Sequence, residues 1–239
     1  CCLVSNFWTK ELKPGYYDLI LEEGLRKQAS IQANWHNITF LKISQFLKIN
    51  MIHLDYACGP GTLIGKYSRA KSTGVDISDN QISYAKDKYG SEKFLFNKDF
   101  DITKYEEKFD VITIIGLFEF LTNDEILDLL KNLKKILKPG GRILTTTLNF
   151  KSYLRVLLYF QYTFGKINYK SQHINHFSQK KMESLLSKSD FENYNIEKFM
   201  NMGVMLSCIS NDLGIKVHKF IESIFNKNLG ALIFVEFKK

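Results

Sequence analysis

The chain has 239 residues, of which 45% are hydrophobic and 24% charged, and it carries a formal net charge of +8. This composition excludes a disordered chain, and the length suits one α/β domain with additions, or two small domains, with room for a large core that needs neither disulfides nor metal. The lysines are scattered rather than massed, which reads first as a solvated surface and second as a docking face for an anionic substrate, carrier or membrane.

Apolar spacing predicts helices over 17–33 and 36–49. MIHLDYA (51–57) predicts a buried strand, and 62–70 the helix that follows it. STGVDI (72–77) is a second strand, followed by a helix over 79–88 that opens at Asp79. KFLFN (93–97) and FDVITII (109–115) are further strands. Residues 123–137 form the clearest amphipathic helix, with Asn123, Asp124 and Glu125 at its positive end and Lys134 and Lys135 at its negative end. Pro139-Gly140-Gly141 stops it, and RILTTTLNF (142–150) is the next strand. Such alternation implies parallel strands joined by crossover helices, a doubly wound Rossmann-like α/β sheet. Beyond 150 the pattern changes. Residues 152–164 and 204–226 read as helical, 177–191 as a helix capped by Ser178, 192–200 as a strand and GALIFVEF (230–237) as a final strand. A single domain is expected: a helical cap over 1–49, a core over 50–150, a lid or insertion over 150–176, and a C-terminal part over 177–239.

The first strand ends in LDYACGPGTL (54–63). Glycines there permit a tight turn and close approach of a ligand to the backbone, and open α/β sheets bind ligands beyond their strand C-termini. The spacing Gly59, Gly61, Gly65 departs from a dinucleotide fingerprint, which wants glycine where Ile64 stands. Asp76, in GVDIS, ends the second strand, where a carboxylate can accept from both ribose hydroxyls. Asp99, in NKDFD, is placed to accept from an adenine amino group, and Phe100 to pack on the purine face.

LDYACGPGTL, GVDIS, NKDFD, FDVITIIGLFEFL and LKPGGRILTTTLN, in this order and spacing, resemble the class I S-adenosylmethionine-dependent methyltransferases, strongly over 51–150 and more weakly towards both ends. The resemblance implies a seven-stranded, mostly parallel sheet with an antiparallel last strand, and S-adenosylmethionine as cofactor. It implies that Ala57, Gly59 and Gly61 face the cofactor's methionine part and that Asp55 helps to place its amino group. Asp76 would hold the ribose, Ile77 would pack on adenine, Asp99 and Phe100 would read the adenine edge, and Ile115 and Leu117 would line the methyl end. Many relatives have Glu-His where this chain has Glu119-Phe120. KPGYYDLILEEG (13–24) followed by QANWH (32–36) resembles a helical cap of small-molecule methyltransferases, which makes Tyr16, Tyr17, Trp35 and His36 candidates to close over the cofactor; an aromatic face suits a sulfonium cation.

Methyl transfer asks the protein mainly to align the nucleophile and exclude water; a hydroxyl acceptor also benefits from a general base. His173 and His176, in QHINHFS, are the leading base candidates because a histidine pKa suits proton removal near neutrality, and Glu119 is a weaker one. His53 and His218 read as structural. IGLFEF after the fourth strand carries no proline, which disfavours a flipped-base amine as acceptor, and the lack of a basic stripe with interleaved aromatics disfavours nucleic acid. The insertion SYLRVLLYFQYTFGKINY (152–169) is a wall for an apolar acceptor, a peripheral membrane contact flanked by Lys151, Arg155 and Lys166, or a plain core helix. Cys1, Cys2, Cys58 and Cys208 form no metal or disulfide pattern and fit a reducing cytoplasm. The chain opens on Cys1 without an initiator Met, as a processed or truncated start would, and shows no signal peptide. The expected activity is O-methylation of a small molecule (a sugar, quinone or polyketide-like acceptor), with N- or C-methylation and a non-catalytic cofactor-binding partner subunit as alternatives. Ile64 and the lack of a Tyr-x-x-x-Lys pair argue against a nicotinamide-dependent reductase.

Overall fold

The computed structural model describes residues 7–153, 172–225 and 229–239. Seven strands form one sheet in the order β3-β2-β1-β4-β5-β7-β6. They are β1 (Ile52–Tyr56), β2 (Lys71–Val75), β3 (Phe94–Asn97), β4 (Phe109–Ile115), β5 (Leu137–Leu148), β6 (Asn193–Phe199) and β7 (Leu232–Lys238). Every pairing is parallel except those of β7, which runs against both β5 and β6. The doubly wound sheet with a reversed last strand is therefore as expected. The chain order reverses between β1 and β4, which places a ligand crevice at their C-terminal ends.

Successive residues of β4 face opposite layers, which explains why FDVITII is apolar almost throughout. Ile112 and Ile114 pack with Ile126, Leu130 and Leu133 of α4 (Asn123–Ile136), and with Met182 and Leu185 of α5 (Gln179–Leu186). Val111 packs on the other face, against Ile43 of α2 (Ile31–Ser44), Leu144 and Phe234. The four core residues of α4, Ile126, Leu130, Leu133 and Ile136, are almost wholly buried, worth about 1.5–3 kcal/mol each. Its start is a capping box in which Thr122 and Glu125 satisfy each other's backbone N–H groups.

Several boundaries differ from the sequence reading. The first helix, α1 (Tyr16–Lys27), ends early because Gln28 turns left-handed at φ 55. Ser30 then caps α2 by accepting from the Ala33 N–H. The expected helix over 62–70 is only a five-residue turn, Leu63–Tyr67, because Ser68 is extended and the chain runs straight into β2. The ladder of β5 begins at Leu137 rather than 142, with an irregularity opposite Phe109 and Val111. Residues 204–226 divide into a tight 3-10 stretch, Met202–Cys208, and helix α6 (Asn211–Phe225). The expected helix over 152–164 lies almost wholly outside the described residues, and no described helix is long and apolar enough to cross a membrane.

The N-terminal helices are pinned over the crevice by buried polar groups. Asp18 of α1 accepts from Tyr84 (2.9 Å), Lys88 (2.7 Å) and Tyr89 (2.9 Å) of α3 (Asp79–Tyr89). Gln81 brackets the preceding loop, accepting from the Gly15 N–H and donating to the Lys13 carbonyl. On the other flank Asn34 donates to Ser207 and to the Asn211 carbonyl, while Asn211 donates to the Gly24 carbonyl. Burial pushes the Asp18 pKa up, but Lys88 and the two tyrosine hydroxyls outweigh it and the net shift is downward. Asp18→Ala removes the buried acceptor shared by Tyr84, Lys88 and Tyr89 and is expected to cost about 2–4 kcal/mol in urea unfolding. Because the folded pKa is depressed, the contribution is whole above the unfolded pKa of about 3.9 and fades as pH falls through the folded value. Wild type should therefore lose stability faster than the variant under acid titration.

Candidate cofactor and acceptor site

β1 delivers Asp55 and Tyr56 to the crevice, and the backbone then reverses through three left-handed residues, Ala57 (φ 64), Gly59 (φ 52) and Gly61 (φ 74). For Ala57 this costs on the order of 1–2 kcal/mol, strain of the kind found at ligand clamps. The glycines divide the work. A Cβ on Gly59 would meet no atom within 4 Å, so the space before it is open. A Cβ on Gly61 would lie 2.6 Å from the Phe96 ring, and one on Gly65 2.2 Å from the Tyr89 ring. Those two allow the turn to pack on β3 and α3, and neither lines the cavity.

Asp76 holds the turn in place. Its Oδ2 accepts from the Gly59 N–H at 2.8 Å and its Oδ1 from the Ser78 N–H at 2.9 Å. Burial raises its pKa against these two hydrogen bonds. Asp55 is buried beside it, and its Oδ1 accepts from the Thr113 hydroxyl at 2.5 Å. Thr113, having given its proton to Asp55, accepts from His53 Nε2 (2.8 Å), and His53 Nδ1 meets Ser72 Oγ at 3.0 Å. Burial pushes the His53 pKa down to about 3, so it is a neutral link in this chain. Burial, against the Thr113 hydrogen bond and with the Asp76 charge, pushes the Asp55 pKa up to about 7. Among the described residues no cation pairs with Asp55.

These groups border a cavity of about 1050 Å³, at the top of the ~300–1,000 Å³ range of small-molecule sites. Its lining includes Asp55, Ala57, Gly59, Asp76, Ile77 and Phe100, Ile115 and Leu117 at the end of β4, and Tyr17, Trp35 and His36 from the cap. The Tyr17 and His36 rings meet edge-on at 5.6 Å. Asp99 is exposed and outside the lining, whereas its neighbours Lys98 and Phe100 belong to it.

The lining also includes Trp8, Phe40, Glu119, Phe120, Leu148 and His173. Glu119 is 4% exposed, and its Oε2 accepts from the Thr147 hydroxyl at 2.7 Å. Burial, opposed by its own backbone N–H and by Thr147, pushes its pKa up to about 7. Its carbonyl accepts from the N–H groups of Ile174 and Asn175, which ties the loop carrying His173 to the end of β4. The His173 ring stacks on Phe120 at 5.2 Å, and burial, with His176 nearby, pushes its pKa down to about 4. His176 is exposed, packs its ring on Phe150 at 4.4 Å, and does not line the cavity. The structure therefore brings Glu119 and His173 to the cavity and leaves His176 outside it. Trp8, Tyr56 and Thr147 were not singled out in the sequence. The signal for Thr147 was present: three successive threonines in a strand buried on both faces need hydrogen-bond partners.

The sequence matches the methyltransferase domain family over residues 30–196, more than half of the chain. The chain belongs to the methyltransferase domain family. It is 34% identical over 120 residues to the ubiquinone biosynthesis O-methyltransferase of Coxiella burnetii, which covers 47% of this chain and 50% of that protein. It is 32% identical over 109 residues to malonyl-[acyl-carrier protein] O-methyltransferase 2 of Ilyobacter polytropus, 43% of this chain and 41% of that protein. The chain thus spans about half the length of the first of these curated relatives. Among solved structures it is similar to a SAM-dependent methyltransferase from Archaeoglobus fulgidus, with a TM-score of 0.63, 19% identity, and coverage of 94% of this chain and 100% of that one. The fold is the class I fold of S-adenosylmethionine-dependent methyltransferases, and S-adenosylmethionine is the family's methyl donor.

The residues of this methyltransferase fit that donor. Space opens before Gly59, and the buried carboxyl of Asp55 has no cation of the described protein beside it, as suits a ligand ammonium. When bound, S-adenosylmethionine supplies an activated methyl group on a sulfonium. Asp76→Ala removes both the carboxylate and the bond that sets Gly59. It is expected to weaken S-adenosylmethionine and S-adenosylhomocysteine binding alike by tenfold or more, as calorimetry would measure, since a hydrogen bond to a charged group is worth ~1.5–3 kcal/mol. Unchanged affinity would move the ribose away from Asp76.

Proposed function

We propose that this methyltransferase transfers the methyl group to a hydroxyl of a small, uncharged, aromatic acceptor of the quinol type. One observation carries the reading: a single cavity is lined both by a polar set, Asp55, Asp76 and Gly59, and by an aromatic and apolar set, Trp8, Phe40 and Phe120, with the buried carboxyl of Glu119 beside Phe120, and we read these sets as its two ends. The polar end suits the donor. Asp55 takes its ammonium, Asp76 its ribose, Ile77 and Phe100 its adenine, and Ile115 and Leu117 flank the methyl. Tyr17 and Trp35 close over it, and Gly61 acts only through the shape of the turn. Asp99 has no part in this arrangement.

The apolar end suits a flat acceptor better than a sugar, since Trp8, Phe40 and Phe120 offer ring faces rather than hydrogen bonds. Among the described lining residues the only lysine is Lys98, and its Nζ is taken by Asp79 at 2.6 Å. No described cation thus awaits a carboxylate or phosphate acceptor. The two curated relatives are both O-methyltransferases by name, which supports oxygen as the nucleophile. Titration with S-adenosylmethionine, S-adenosylhomocysteine and NAD at matched salt should show binding of the first two and none of NAD. Methyl-labelled donor should then mark dihydroxyaromatic acceptors in preference to sugars, acyl carboxylates or amines. Binding of NAD alone, or labelling of amines alone, would overturn the proposal.

A further inference from the structure

We infer that Glu119 is the group that takes the acceptor's proton, and that the donor's sulfonium charge decides when it can do so. The inference rests on the methyl-transfer reading above and adds to it the identity and timing of the base. Two carboxyls line the cavity near Phe120 and Leu121, Glu119 and Glu125; Glu125 is exposed and engaged in the capping box of α4, which leaves Glu119 as the buried one. It is almost wholly buried, has no counter-cation among those residues, and is held by the Thr147 hydroxyl on one oxygen. The turn that carries it, Phe118–Phe120, follows β4, next to Ile115–Leu117. Its backbone is locked by the two N–H groups of the 174–175 segment. His173, the alternative base in the cavity, has its ring stacked on Phe120, which buries it and opposes the cationic form a base must adopt.

A buried carboxylate without a cation resists ionising, and a cation entering the same low-dielectric cavity reverses that preference. Donor binding therefore readies Glu119 as a carboxylate. The acceptor's O–H then gives its proton to Glu119, the oxygen lone pair forms the new bond to the methyl carbon, and the C–S electron pair stays on sulfur. One positive and one negative charge vanish together, leaving a neutral thioether, a neutral carboxylic acid and a neutral ether. With the sulfonium gone, Glu119 holds its proton until the product leaves.

The consequence is measurable without knowing the acceptor. S-adenosylmethionine carries the sulfonium and S-adenosylhomocysteine does not, while the ammonium, ribose and adenine are common to both. The ratio of their affinities isolates groups that sense the sulfonium. Facing Glu119 are Thr147 from β5 and His173 from the loop. The other titratable residues of the lining are His36 of α2, Asp55 and Tyr56 of β1, Cys58 and Asp76 in the turns, Tyr16 and Tyr17 of α1, Glu125 of α4, and Lys98. His36 and His173 are both pushed by burial to about 4, and burial raises the Cys58 thiol. Glu125 is kept ionised by the Thr122 backbone and hydroxyl. Asp55 titrates in the same range, but its expected partner is the ammonium that both ligands share.

Calorimetric titration of both ligands from pH 6 to 8 is expected to show the affinity ratio turning in favour of S-adenosylmethionine by roughly tenfold as pH rises, one decade per unit of pKa displaced. Glu119→Gln, which keeps an acceptor for Thr147, should give a flat ratio with an unchanged melting temperature. Thr147→Val, which removes the donor that steadies the carboxylate, should move the midpoint of the change to higher pH. A flat ratio in the wild type, or the same slope in Glu119→Gln, overturns the inference. If the Gln variant does not fold, the Thr147→Val midpoint decides: no displacement overturns it. Failure of both ligands to bind the wild type is a separate result, which removes the methyl-transfer reading itself and this inference with it.

Discussion

One carboxylate oxygen of Asp76 accepts the N–H of Gly59, and the site is arranged around that hydrogen bond. It joins the end of β2 to the turn after β1, so two strand ends that pair in parallel also share a fixed loop. The turn needs three left-handed residues, one of them Ala57, and such a backbone persists only where its surroundings over-determine it. Asp76 supplies one constraint. The Cys58 N–H, bonded to the Val75 carbonyl, supplies a second. The rings of Phe96 and Tyr89, which fill the room a Cβ would need at Gly61 and Gly65, supply a third. Gly59 is left free to face the cavity.

The buried carboxyls of the molecule divide into two kinds, and the division follows their partners. Asp18 is wholly buried but receives three donors, one of them cationic, and stays ionised as a structural clamp between the cap and α3. Asp55 and Glu119 each receive one threonine hydroxyl and no described cation. An uncompensated buried charge is costly, so burial raises the pKa of both groups. Both line the cavity, as the proposed pairing with ligand cations requires: an ammonium for Asp55, a sulfonium for Glu119. The cap clamp and the site thus use the same residue type, and the number of donors around each carboxyl sets its role.

Much of this was legible in order along the chain. Alternating apolar runs and amphipathic segments announced the sheet. The turn glycines and the acids at the ends of β1 and β2 announced a ligand at the strand ends. Asp55, Asp76, Ile77 and Phe100 did reach the cavity. Asp99 did not, because β3 is a short edge strand and the residue after it turns to solvent. The two histidines part for a similar reason. His173 and His176 look equivalent in QHINHFS, but the loop places one against Phe120 inside the cavity and the other outside it on Phe150. Glu119, in an unremarkable GLFEF, became the buried group. Helix boundaries failed where a single residue decided them, as at the left-handed Gln28.

The sequence by itself determined the chain order of strands and helices and the family, because periodicity and spaced motifs are local properties that survive any packing. The tertiary structure alone decided which polar residues face one another. Asp18 meets Tyr89 across 71 positions, Asn34 meets Ser207 across 173, and Thr147 meets Glu119 across 28. Charge state follows from those meetings, since desolvation and hydrogen bonding depend on neighbours that no local pattern records. The same residue type is therefore a clamp at position 18 and a ligand-facing acid at position 55.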